Sequence, residues 1–244
     1  MSRQPPEQQL PPVQRLRVRY TKRGRLRFTS HRDFSRAFER AVFRARVPMA
    51  YSSGFNPHPR ISYAGAAPTG SASEAEYLEI ALAEVVDTAA IHVLLDEALP
   101  DGLDVLEVVD AAELPGGSLA DLLTASRWII DTAALPLEAE AAVATFLAEE
   151  SVIVERMTKK GLREFDCRAA VVSLAVVGTA EADGDGARLD LVLRHAVPAV
   201  RPDDVLTGLS RSTTLDVGPA PLLTRLLQGP LDEADGTVGD PFAR

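Results

Sequence analysis

The chain has 244 residues, 46% apolar and 25% charged, enough for one large or two small domains with a genuine core. It contains no apolar run long enough for a membrane-spanning helix, and its single cysteine, Cys167, excludes an internal disulfide and a cysteine-based metal or iron–sulfur centre. The net charge of −9 hides an asymmetry: residues 1–62 carry 14 Arg or Lys against 3 Asp or Glu, whereas residues 63–244 carry 12 against 32. Such a split points to an anionic partner for the basic end.

In chain order, residues 1–14 are rich in Pro and Gln and lack an apolar signal core, so they are expected to form a disordered leader rather than an export signal. With the lone cysteine this places the chain in the cytoplasm. Arg15 to Tyr20 alternates Arg with Leu, Val and Tyr, the period of a half-buried strand. Thr21 to Gly24 reads as a turn, and Leu26 and Phe28 as a second short strand. Ser30 with Asp33 three residues on is a helix-capping pattern, and a helix is predicted from His31 to Arg46, with Phe34, Ala37, Phe38, Ala41, Val42 and Ala45 on one stripe. A loop at 51–70 that includes a short strand at 61–64, a strand at 76–83, a helix at 88–99 and a strand at 103–109 complete a strand–helix–strand–strand–helix–strand series.

After a connector at 113–126, a second series runs through strands at 127–132 and 152–157, helices at 137–150 and 201–211, and strands at 165–177, 189–193 and 222–227. The expected fold is therefore α+β: two tandem ferredoxin-like βαββαβ sandwiches over 15–112 and 127–228, with disordered N- and C-terminal tails, the latter over 229–244. Thr158-Lys159-Lys160-Gly161 echoes Thr21-Lys22-Arg23-Gly24, and both read as basic hairpin tips.

The strongest chemical signal is the basic cluster. Arg17 and Arg19 share one strand face, Arg25 and Arg27 another, and Arg32, Arg36, Arg40 and Arg44 recur every four residues along the helix. Together with Lys22, these residues suit phosphate, and the preference for Arg over Lys favours bidentate contact. Loop 51–60 is the second signal. Phe55 suits stacking on a base, Asn56 reading a base edge, Arg60 a phosphate, and His58 general acid–base work. The bland alternative is a rigid turn held by Pro57 and Pro59 with Phe55 plugging the core. Glu74, Glu76 and Glu79 are close together, two of them on one strand face that reads as a solvated edge, and His92 and His195 read as isolated structural residues. No nucleophile elbow, phosphate-binding glycine loop or zinc-protease motif occurs, so no catalytic set is expected; His31 and His58 are the only candidates.

Three stretches, Lys22 to Arg36, Ser52 to Tyr63 with Ser73 to Leu78, and Thr158 to Asp166, resemble the radical-SAM-linked domain family, bacterial domains of unknown function encoded beside cobalamin-binding radical SAM proteins or fused to them. The Gly-Phe-Asn-Pro-His-Pro run at 54–59 is the most distinctive, and Arg32 departs from the leucine-like residue expected there. The resemblance implies that the iron–sulfur cluster, SAM and any cobalamin belong to a radical SAM partner and that this chain binds no cofactor of its own. Three roles remain open at this point: an accessory module presenting tRNA or rRNA to that partner, a stand-alone enzyme using His31 and His58 on a phosphorylated or RNA substrate, and an adaptor whose basic face docks an acidic protein.

Overall fold

The computed structural model describes residues 8–114, 116–158, 161–180 and 184–243. The chain forms two compact units, residues up to 121 together with 242–244, and residues 122–241. Both are mixed α+β, and among the described residues no helix is long and apolar enough to cross a membrane.

In the first unit, β1 (Gln14–Lys22) leads through a 3-10 turn at Gly24–Phe28 into α1 (His31–Arg44), followed by β2 (Ile61–Ala64), β3 (Ala72–Leu82), α2 (Thr88–Ala98) and β4 (Val105–Asp110). The strands form an antiparallel sheet in the order β4-β1-β3-β2. Period-two alternation sends Leu16, Val18 and Tyr20 of β1 and Leu78, Ile80 and Leu82 of β3 to one face, where they join Phe34, Phe38 and Val42 of α1 and Ile91 and Leu95 of α2 in a single core. Each such side chain, fully buried, contributes on the order of 1.5–3 kcal/mol. Tyr20 stacks on Phe34 with ring centroids 4.6 Å apart. Helix α1 starts where the capping pattern placed it: Ser30 Oγ accepts the Asp33 N–H at 3.2 Å.

The second unit begins after a one-turn helix α3 (Leu119–Leu122) at the boundary. It contains β5 (Ala125–Asp131), α4 (Pro136–Ala148), β6 (Ile153–Thr158), β7 (Gly161–Asp166), a one-turn α5 (Cys167–Ala170), β8 (Val171–Thr179), β9 (Ala187–Arg194), α6 (Pro202–Ser212) and β10 (Leu222–Gly229). Its sheet runs β10-β5-β9-β8, again antiparallel throughout, while β6 and β7 pair separately as a hairpin.

Three expectations change. Leu26 and Phe28 lie in the 3-10 turn, not in a strand, so Arg25 and Arg27 share no strand face. Thr21 to Gly24 is accordingly no hairpin tip. The 158–161 echo does close a hairpin, with Thr158 opposite Gly161, although Lys159 and Lys160 lie outside the described residues; so do residues 182 and 183 of the stretch Ala182 to Gly186, whose Asp and Gly residues predict a second hairpin turn. Residues 229–243 are ordered: Leu231 bridges Val238, and Gly229 backs onto Gly239 so closely that a Cβ would stand 2.0 Å from its carbonyl oxygen. Glycine richness there serves close packing of backbone on backbone. Phe242 is buried and meets Tyr77 edge-on, centroids 5.3 Å apart. Of the leader, residues 1–7 lie outside the described residues.

Candidate nucleic-acid interface

The fold sorts the basic residues into two sets. On the helix-free face of the first sheet, Arg17 is only 3% exposed. It lies directly opposite Glu79 on β3; its Nε donates to that carboxylate at 3.2 Å and its Nη2 to the Gly117 carbonyl at 2.7 Å, while the buried Nη1 has no hydrogen-bond partner among the described residues. Arg15 holds the same carboxylate at 2.9 Å. Arg19 donates to the Glu74 carbonyl at 3.0 Å, and Arg23 pairs with Glu74 and Asp104. Lys22 is buried, its ammonium donating to the carbonyls of Ala67 and Pro68 at 3.1 Å each. Arg17 and Lys22 are therefore internal groups that an outside phosphate does not reach, while Arg19 is half-buried with its Nε committed to the Glu74 carbonyl. Glu74 and Glu79 are the counterions of this face, and Glu76, on the strand edge expected to be solvated, is buried and accepts the Ala67 N–H.

The second set stays outside. Arg25, Arg32, Arg36, Arg40 and Arg46 are exposed, and among the described residues their side chains make no ion pair or hydrogen bond. Arg32, Arg36 and Arg40 follow the outer side of α1, so the arginine at 32 occupies a solvent position and needs no burial. Arg27 is half-buried, lies over the Phe28 ring at 4.7 Å and leaves its Nε unpaired. Arg44 folds back to the Ala98 carbonyl.

Loop 51–60 is a compact excursion pinned at its neck. Tyr51 bridges Pro59, the Ser52 N–H donates to the His58 carbonyl at 2.8 Å, the His58 N–H to Ser52 Oγ at 3.0 Å, and Arg60 Nε to the Tyr51 carbonyl at 3.1 Å. Gly54, at φ +129°, supplies the turn that β-carbon-bearing residues rarely adopt. Phe55 is 62% exposed, so it does not plug the core; Asn56 and His58 project beside it. Between this neck and the end of α1 lies an open groove of about 590 Å³, lined by Glu39, Phe43, Arg46, Met49, Tyr51 and Pro59 among others. Phe43 is 82% exposed and Tyr51 40%. Sequence reasoning missed this groove, although the signal was present: at about 100° per residue, Phe43 falls half a turn away from Phe34, amid the arginine row.

Other candidate chemistry is poorly served. The imidazoles of His31 and His58 make no hydrogen bond among the described residues; His31 contacts the edge of Tyr63, centroids 5.0 Å apart. A base without an orienting partner is not the arrangement of a general acid–base pair. Burial pushes the Tyr63 hydroxyl up to about 12 and the Cys167 thiol up to about 11, so both stay protonated and unreactive near neutrality. The cavity touching His31, Lys22 and Glu76 measures about 20 Å³, room for one water rather than a substrate. His92 and His195 are held by backbone carbonyls, Val105 at 2.8 Å and Leu123 at 2.7 Å. A second open cavity of about 590 Å³ is lined by Arg15 and Arg17, but their charge is answered there by Glu79. Among the described residues, no three His, Cys, Asp or Glu side chains cluster as a metal site.

These features define a mixed α+β protein in which α1 and the loop beside it carry a cluster of exposed arginines that make no ion pair among the described residues. The chain belongs to a family of uncharacterized proteins conserved in bacteria (DUF2344), whose pattern matches residues 15–202. No curated protein matches the chain. A chain in the crystal structure of a Cbf5-Nop10-Gar1 complex is similar to it at a TM-score of 0.48 and 10% identity, over 89% of this chain and 50% of that one, so the present chain spans about half the length of that neighbour. At that score the likeness settles neither fold nor role.

Proposed function

We propose that this chain is a non-catalytic accessory module that holds single-stranded RNA, in tRNA or rRNA, for a radical SAM enzyme that modifies it. The observation that carries the reading is the outer face of α1, where Arg32, Arg36 and Arg40 form a row leading towards an exposed Phe43 and make no ion pair among the described residues. Guanidiniums bind phosphate through paired donors, and aromatic rings take unstacked bases. Arg25, Phe55, Asn56 and Arg60 extend the surface on the loops either side. The radical SAM partner, with its iron–sulfur cluster, SAM and any cobalamin, rests on the resemblance of the three motifs alone. We read each unit as a ferredoxin-like sandwich, the second with the β6–β7 hairpin inserted; in the first, the sheet face is occupied by its own counterions, which moves the binding surface to the helix side.

The test is a salt titration of binding to a single-stranded RNA oligonucleotide. Each phosphate contact steepens the log–log salt dependence by about 0.7. Replacing Arg36 and Arg40 by Gln should lower the slope by about 1.4 and weaken binding, with thermal stability unchanged because both side chains are solvated. A wild-type chain that binds RNA weakly and without salt dependence at low ionic strength would end the reading.

A further inference from the structure

We infer that the groove between the end of α1 and the neck of loop 51–60 is a slot for one unstacked base of single-stranded RNA, with Phe43 and Tyr51 as its stacking faces and Arg46 taking the adjoining phosphate. The inference rests on the RNA reading above and sharpens it to one site. Its volume of about 590 Å³ lies in the range of small-molecule pockets, which run about 300–1,000 Å³. Two aromatic rings line it and are left in solvent, where each forfeits the gain of burial, roughly 25 cal/mol per Å². The one carboxylate in the wall, Glu39, opposes a phosphate on the floor of the groove but accepts hydrogen bonds from a ribose hydroxyl or a base amine. Base and sugar therefore belong inside, and phosphate belongs on the arginines at the rim.

Arg46 supplies a second, independent observation. It sits at φ +53° just beyond the end of α1, and is the non-glycine residue that adopts positive φ among the described residues. The Arg46 N–H bonds the Phe43 carbonyl at 3.1 Å and the Val47 N–H the Val42 carbonyl at 3.0 Å, the closing turn in which glycine is the cheapest residue. An arginine held there at a conformational cost, lining the groove and making no side-chain ion pair or hydrogen bond among the described residues, fits a binding role better than a folding one.

The experiment uses the full chain and a single-stranded RNA of about ten nucleotides carrying one 2-aminopurine, whose fluorescence is quenched by stacking. Wild type should bind and quench. Phe43→Ala, and separately Tyr51→Ala, should abolish most of the quench and weaken binding about ten-fold, while Phe43→Tyr retains both. Arg46→Gly should raise the thermal midpoint yet weaken RNA binding several-fold, a divergence that a merely structural arginine does not give. If wild type binds RNA with a steep salt slope but Phe43→Ala leaves affinity and quench unchanged, the slot is overturned and the RNA reading stands. If wild type binds no RNA, both fall together. If Phe43→Ala spares RNA binding but abolishes co-purification of a protein partner after RNase treatment, the groove belongs to a protein segment and the slot is likewise overturned.

Discussion

The two units run their strands in the same order, β4-β1-β3-β2 and β10-β5-β9-β8, and treat their sheet arginines in the same way. In the first, Arg17 of β1 faces Glu79 of β3; in the corresponding strand pair of the second, Arg188 of β9 faces Asp131 of β5 and holds it at 2.7 Å. Residues directly opposite on antiparallel strands have their Cβ atoms about 4.5–5.5 Å apart, so a cation on one strand readily acquires the carboxylate on the next. The difference lies on the first helix of each unit. Outward positions of α1 carry Arg32, Arg36, Arg40 and Phe43 beside Asp33 and Glu39, whereas α4 presents Glu138 and Glu140 in its first turns and has no arginine. A helix face has no neighbouring strand to neutralise it. Net charge per segment therefore overstates what is available to a partner, and the secondary structure that carries each charge decides whether it stays outside.

The most forceful way to break this comparison is at its buried member. Arg17→Met keeps volume but leaves Glu79 to Arg15 alone and the Gly117 carbonyl without its donor. Removing one partner of a buried pair costs about 3–5 kcal/mol, and the retained Arg15 places the expected loss near about 3 kcal/mol, read as a lower urea midpoint. The double variant Arg17→Met/Glu79→Leu should recover much of it, because the stranded carboxylate is then gone. A single variant as stable as wild type would mean that Arg17 is not the internal group described here.

A smaller effect is expected from pH in the second unit. Burial holds the His195 imidazole below its ordinary value of 6.5, with the charge of Arg225 acting in the same direction against the Leu123 carbonyl. The unfolded chain takes up the proton more readily than the folded one, so the stability contributed by neutral His195 is complete above about pH 6.5 and declines as pH falls below it. Urea midpoints at about pH 7.5 and about pH 5.5 should differ more for wild type than for His195→Gln. Equal pH dependence in the two proteins would show that the imidazole is not held neutral.

Much of this was legible in the residues themselves. Local rules placed α1 from Ser30, Asp33 and the Phe34–Phe38 stripe, because capping and 3.6-residue periodicity act within one turn of chain. The alternation of Arg15 to Tyr20 revealed a strand with two chemically distinct faces, but alternation does not say which face meets water. That was decided by Glu79, 62 residues beyond Arg17, and by Gly117, 100 residues beyond it. The same blindness to distant partners made residues 229–244 look disordered, since Gly, Asp and Pro also suit a tight fold-back such as the one from Gly229 to Gly239. Of the candidate site, Arg25, Arg36, Arg40, Phe55, Asn56 and His58 remain on the surface as their local surroundings indicated, whereas Arg17, Arg19 and Lys22 are claimed by groups no local pattern names.

The smallest expected effect completes the comparison. Arg127 also meets a carboxylate of its own unit, Asp190, through Nε and Nη2, but its side chain is 44% exposed where that of Arg17 is 4%. The attraction to Asp190 holds the guanidinium protonated above its usual range, yet water screens both charges in either state. Arg127→Ala should therefore cost no more than about 1 kcal/mol, shrink further in high salt, and leave RNA affinity and its salt slope untouched. A loss as large as that of Arg17→Met would show that burial is not what separates the two arginines. A drop in the RNA salt slope would extend the phosphate-binding surface to the second unit, where Arg127, Arg188 and Arg194 pair with carboxylates of that unit.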